Sequence, residues 1–110
     1  MSFAVTEEPL DSRTIPESYI LMRNIPKLDF GDNYLKPKET AAVFAQNTPI
    51  GIIKNDCVIV TGDSLLNAFD RLEVAEYSAR AIIAAKGLGN VVAINDEEIE
   101  DIIEAFGLVK

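Results

Sequence analysis

Cys57 is the only thiol in this chain, and no histidine accompanies it. A cysteine nucleophile acts as the thiolate, so it needs a base or a nearby positive charge. Lys54 or a helix terminus could supply only the second of these, and inert packing is the expected role of Cys57. The tripeptide Asn55-Asp56-Cys57 also offers two metal-binding atoms in succession. Catalytic zinc takes about three protein ligands and keeps one position open. Neighbours on an extended strand point to opposite faces, so Asp56 and Cys57 are not expected to reach one ion together. No second group of ligands with suitable spacing follows, and no metal site is expected within one chain. A site shared between subunits through Asp56 is the remaining route to a bound ion. Glu73 and Glu76 lie three apart and share a helix face. Paired carboxylates can serve as acid and base, but salt bridging or hydrogen bonding at an interface is the expected use of these two. Lys36, Lys38 and Lys54 could meet a phosphate, although no glycine-rich loop accompanies them. Ser18, Tyr19 and Tyr34 form no catalytic pattern, and no catalytic residue is assigned.

These residues must be positioned by a small domain. The chain has 110 residues, which suits one domain spanning 1–110, with residues 1–17 as an arm. A net charge of −8 disfavours nucleic acid and an anionic membrane surface as partners. A single cysteine excludes an internal disulfide and fits a reducing compartment. The start of the chain lacks a basic segment followed by an apolar one, so no signal peptide is expected. No uncharged apolar stretch is long enough to span a bilayer. A cytoplasmic location is the resulting expectation.

Residues 1–17 hold Pro9 and Pro16 and suit a loop, with a short strand near Phe3–Thr6. Ser18–Arg23 is a short apolar run expected as a strand, followed by a second strand over Lys27–Phe30. Gly31-Asp32-Asn33 marks a turn. Pro37 suits the first turn of a helix running over Lys38–Gln46. Ile50–Lys54 and Cys57–Thr61 are β-branched strands joined across Asn55-Asp56, the pattern of a hairpin. Asp63 is a candidate N-cap for a long helix from Leu65 to Lys86. Its expected buried stripe is Ala68, Leu72, Ala75, Ala79 and Ile82, widened by Leu65, Phe69 and Ile83. Gly87 and Gly89 end it. Asn90–Ile94 is expected to be extended. A last helix begins at Asn95 or Asp96, where Asn95 and Glu98 have capping-box spacing. It presents Ile99, Ile102, Ile103 and Phe106 and ends at Gly107. Its acids suit the positive end of the helix dipole. The expected fold is α/β, with a mostly antiparallel sheet flanked by helices.

From Gly62 to Ala79 the chain reads GDSLLNAFDRLEVAEYSA. This resembles the class II aldolase/adducin family, where a strand pair leads into G-x-(S/D)-L-x-x-A-(F/Y)-x-x-x-E-x-x-E-x-x-A. Gly62, Leu65, Ala68, Phe69, Glu73, Glu76 and Ala79 carry the match. Asn95 to Ile99 is similar to the last helix of some of those aldolases, and Ile15 to Phe30 to the strand pair before their short helix. The resemblance covers nearly all of this chain but only the second half of the family domain. It implies a truncated three-layer αβα fold and ring-like oligomers with sites between subunits. It also implies a small phosphorylated sugar as ligand and lyase or epimerase chemistry on a bound zinc ion. The family's first half supplies the phosphate loops, the catalytic carboxylate and a His-x-His pair, none of which is in this sequence. Its second half supplies a further histidine in an Asn-His-Gly triplet between two strands. Asn55-Asp56-Cys57 stands at that place, so these three are the candidate site positions and the imidazole is gone.

The leading expectation is therefore a class II aldolase-like protein without the zinc histidines, non-catalytic and homo-oligomeric. The alternative is one subunit of a split metal-dependent sugar-phosphate aldolase or epimerase, in which a complementary chain carries the metal and phosphate sites. Zinc enters only if it is shared with another chain. A lyase acting by itself on sugar phosphates, or a ligand-binding domain without a reaction, stand behind these.

Overall fold

The computed structural model describes residues 2–110. Among them, five helices surround a three-stranded mixed sheet, an α/β arrangement. The order is α1 (Pro16–Met22), β1 (Lys27–Leu28), α2 (Asp32–Leu35), α3 (Pro37–Val43), β2 (Ile50–Ile53), β3 (Cys57–Val60), α4 (Leu65–Lys86) and α5 (Asp96–Phe106). No helix among the described residues is long and apolar enough to cross a membrane.

β2 is the centre of the sheet. It pairs antiparallel with β3, from Ile50 opposite Val60 to Ile53 opposite Cys57. On its other side it pairs parallel with β1, Lys27 opposite Ile52 and Leu28 opposite Ile53. All four β2 residues are buried. Ile50 and Ile52 join Phe3, Leu10, Met22, Ala75 and Ile82 in the main core. A Cβ on Gly51 would meet the Phe44 ring at 3.1 Å, so that ring covers the opposite face. A strand buried on both faces reads as a continuous apolar run, as IGII does.

The expected hairpin over β2 and β3 is present, with Asn55 left-handed at φ 57° in its loop, a conformation asparagine tolerates. The other expected strand pair is absent. Ser18–Arg23 is not a strand: Ser18 to Met22 belong to α1, which opens on Pro16 in its first turn. A short apolar run is ambiguous between helix and strand. Packing on two sides settles it here. Ser18 hydrogen-bonds Ser78 of α4 at 2.7 Å between hydroxyls, while Tyr19 packs with Ile99, Ile102 and Ile103 of α5. Ser18 and Met22, one helical turn apart, share the side toward α4, and Tyr19 turns to α5. The second strand shortens to Lys27–Leu28 and runs parallel to its neighbour, so only one hairpin forms. No strand forms near Phe3–Thr6 either. Phe3, Ala4 and Leu10 are nonetheless buried, and Asn55 donates its backbone N–H to Ala4 O at 2.7 Å. The expected arm is part of the core.

Helix α4 runs over the expected residues, but its cap is Ser64 rather than Asp63. Ser64 Oγ accepts from the Asn67 N–H at 3.0 Å, and Asn67 Oδ1 accepts from the Asp63 N–H at 3.1 Å. Its buried residues are Ala75, Ser78 and Ile82. Leu65, Phe69, Leu72 and Ile83, expected in the stripe, are exposed. The period was legible but the phase was not, because apolar residues occur on nearly every side of this helix. Asn90–Ile94 runs without strand pairing. α5 carries the expected capping box between Asn95 and Glu98 and ends on left-handed Gly107. Its Ile99, Ile102 and Ile103 are buried, whereas Phe106 is exposed.

Candidate functional site

The Asn55-Asp56-Cys57 candidates sit at the tip of the β2–β3 hairpin. Asp56 lies in the turn, its backbone N–H donating to Ile53 O at 3.1 Å. One carboxylate oxygen, Oδ2, accepts from Asn33 Nδ2 at 3.3 Å. Cys57 begins β3 and is half-buried. Asp56 in the turn and Cys57 at the start of β3 are therefore not successive positions of one extended strand. Burial, then the negative charge of Asp56, push the Cys57 thiol above its ordinary pKa.

A raised pKa means that folding favours the neutral thiol. The contribution to stability is complete below the unfolded thiol pKa and is lost as pH rises through the folded value. Alkylation of Cys57 at mildly alkaline pH is accordingly expected to be slower than that of a free cysteine. Asp56→Asn should speed it, and denaturant should abolish the difference. A folded-state rate at or above that of the free amino acid would contradict the arrangement.

The class II aldolase resemblance implies zinc at this place, and the residues present do not fit it. The histidine is missing, Asp56 and Cys57 are two potential ligands where about three are needed, and one Asp56 oxygen is already engaged by Asn33. Among the described residues, no group of three or more His, Cys, Asp or Glu side chains is arranged to hold a metal.

Glu73 and Glu76 lie elsewhere, on the outward side of α4. Glu76 pairs with Arg80 at 3.1 Å one turn on, an exposed ion pair of the kind that contributes little. With Leu72 and Tyr77, these three charged residues border a shallow depression of about 400 Å³. Lys54 pairs with Asp29 at 3.5 Å. The candidates therefore fall in two separate places, a hairpin tip and a helix face.

No family model, curated protein or solved structure matches this chain.

Two arginines absent from these candidates occupy a third place. Arg23 follows α1 and is only 6% exposed. Arg71 lies on α4, where its Nε donates to Leu21 O at 3.0 Å and its Nη1 to Thr61 O at 2.8 Å and Asn67 Oδ1 at 3.0 Å. It ties the carbonyl end of α1 to the exit of the hairpin. A signal for Arg71 was available: it stands four residues before Ala75 and seven before Ser78, in line with the buried stripe.

Proposed function

We propose that the chain is a non-catalytic class II aldolase-like assembly domain that pairs with a second copy of itself through the outward face of α4. The observation that carries this is the apolar row left uncovered there. Leu65, Leu66, Phe69, Tyr77 and Ile83 are 88%, 70%, 54%, 69% and 51% exposed. Scattered apolar residues on a surface are ordinary, whereas a row along one helix marks a contact surface.

The charges within the row favour a second copy as its occupant. The chain's net charge of −8 opposes self-association at a random surface. This face instead carries acids and a base in self-complementary order. An antiparallel two-fold pairing centred between Glu76 and Tyr77 sets Arg80 of each copy against Glu73 of the other, and Phe69 against Ile83 and Ala84. Such an interface is isologous and closes at a dimer.

Light scattering over a range of concentrations is expected to show twice the chain mass. Phe69→Glu should give a monomer with unchanged helical content, because Phe69 is not part of the core. Arg80→Glu should weaken pairing, and Glu73→Arg combined with Arg80→Glu should restore it. A monomer at every attainable concentration sinks the proposal.

The split-enzyme reading draws on a different feature. Among the described residues, β3 is an edge strand whose residues are all half-buried and which pairs only with β2. A complementary chain bearing the histidines could add a strand there. A chain that stays monomeric alone and associates only with such a partner, through β3 and not α4, would favour this second reading.

A further inference from the structure

We propose that the depression between the end of α1, the start of α4 and the C-terminal segment binds a small organic monocarboxylate between Arg23 and Arg71. The depression measures about 390 Å³ and is lined by both arginines together with Ile20, Asp63, Leu108 and Val109.

Its charge is the first reason. Among the described residues, neither arginine has a carboxylate within ion-pair distance. Arg23 is more than nine-tenths buried, and its Nε has no hydrogen-bond acceptor among the described residues. Its guanidinium carbon lies 5.5 Å from the centroid of the Tyr19 ring, and its Nη2 donates to Val109 O in the wall of the depression. The Arg23 backbone is held at φ 50°, ψ −127°, a conformation that non-glycine residues rarely adopt. A buried cation without a counter-charge is disfavoured, and an anion entering beside it relieves that cost.

The second reason is the supply of donors. A guanidinium carries five N–H groups in a planar fork that matches a carboxylate. Arg71 engages Nε and Nη1 with carbonyl oxygens of the protein and uses no Nη2 bond among the described residues. Those bonds hold the fork in place, so little freedom is lost when it takes a ligand.

The charge balance and the walls decide the ligand class. Two guanidiniums against the Asp63 carboxylate leave one positive charge, which one carboxylate neutralises. A phosphate dianion overshoots that balance and meets Asp63. Ile20, Leu108 and Val109 supply an apolar side for a short hydrocarbon chain. The site is on a different face from the α4 row and does not depend on dimer formation.

The test is an NMR titration of the full chain with butyrate at constant ionic strength, with inorganic phosphate and chloride as separate arms. Saturable shifts at the Gly62, Asp63 and Gly107 amides are expected with butyrate only. Asp63→Asn should tighten binding several-fold. Arg71→Gln should weaken it on the order of tenfold, the effect of losing a charge-assisted hydrogen bond. Should Arg71→Gln fail to fold, Arg23→Lys keeps the charge, loses the fork and is expected to weaken binding as well. Absence of saturable shifts, unchanged affinity in a folded Arg71→Gln or Asp63→Asn protein, or tighter binding of phosphate than of butyrate would overturn the assignment.

Discussion

Ile52→Ala is expected to lower the unfolding free energy by ~2–5 kcal/mol, the range for truncating a large aliphatic side chain in a close-packed core. Ile52 is 1% exposed and lies on the central strand, opposite Val58 on one side and Lys27 on the other. It packs in one cluster with Met22 and Ile50, both fully buried, and with Ala75 and Ile82 of α4. Backbone pairing on both edges of β2 limits how far the strand can move to close the gap, so much of the cavity should remain. With total stability of domains near 5–15 kcal/mol, this one change removes a large share. Urea unfolding followed by circular dichroism checks it: the midpoint should fall while the slope stays constant. Leu88→Ala, at a position 93% exposed after α4, is the comparison and should change stability by no more than about 0.5 kcal/mol. Similar losses for the two would mean that Ile52 is not the centre of the core.

Gly62→Ala is the second large effect, and it arises from a close approach rather than from a special φ. A Cβ at position 62 would stand 2.6 Å from Asn67 Oδ1 and 2.7 Å from the backbone nitrogen of Ala68. The side chain of Asn67 can swing aside, but the first turn of α4 cannot move without cost. Asn67 Oδ1 also accepts from the Asp63 N–H and from Arg71 Nη1. Its displacement loosens both the entry to α4 and the arm of Arg71. The expected loss is about 1–3 kcal/mol, as for overpacking elsewhere. It should come with shifted amide resonances at Asp63, Asn67 and Arg71, and with weaker butyrate binding. Full stability with unchanged resonances would show that the strand-to-helix junction is less tightly fitted than these distances state.

The candidate places differ in how far they could be read from the chain. Asn55-Asp56 is legible as a hairpin turn with Cys57 opening the next strand, because β-branched runs on either side of Asn-Asp have few other solutions. The contact of Asp56 with Asn33 is not legible, since it depends on how α2 packs against the hairpin tip. Glu73 and Glu76 were correctly placed on one helix face, as their spacing requires. That this face is uncovered follows only from the phase of α4. Arg23 and Arg71 line one depression because α1 is a helix whose Leu21 carbonyl reaches Arg71, whereas its short apolar run reads as a strand. An error in one short element was enough to hide the site.

By itself the sequence determined the local events: the hairpin, the length of α4, the Asn95–Glu98 cap and the stop at Gly107. Each is a contest settled within a few residues by backbone φ, side-chain caps and branching at Cβ. Tertiary structure decided that residues 16–22 coil, that β1 runs parallel to β2, that Phe3 and Leu10 enter the core, and which side of α4 is buried. Those outcomes turn on apolar area shared between segments far apart in the chain, and near-equal local preferences leave that burial to choose.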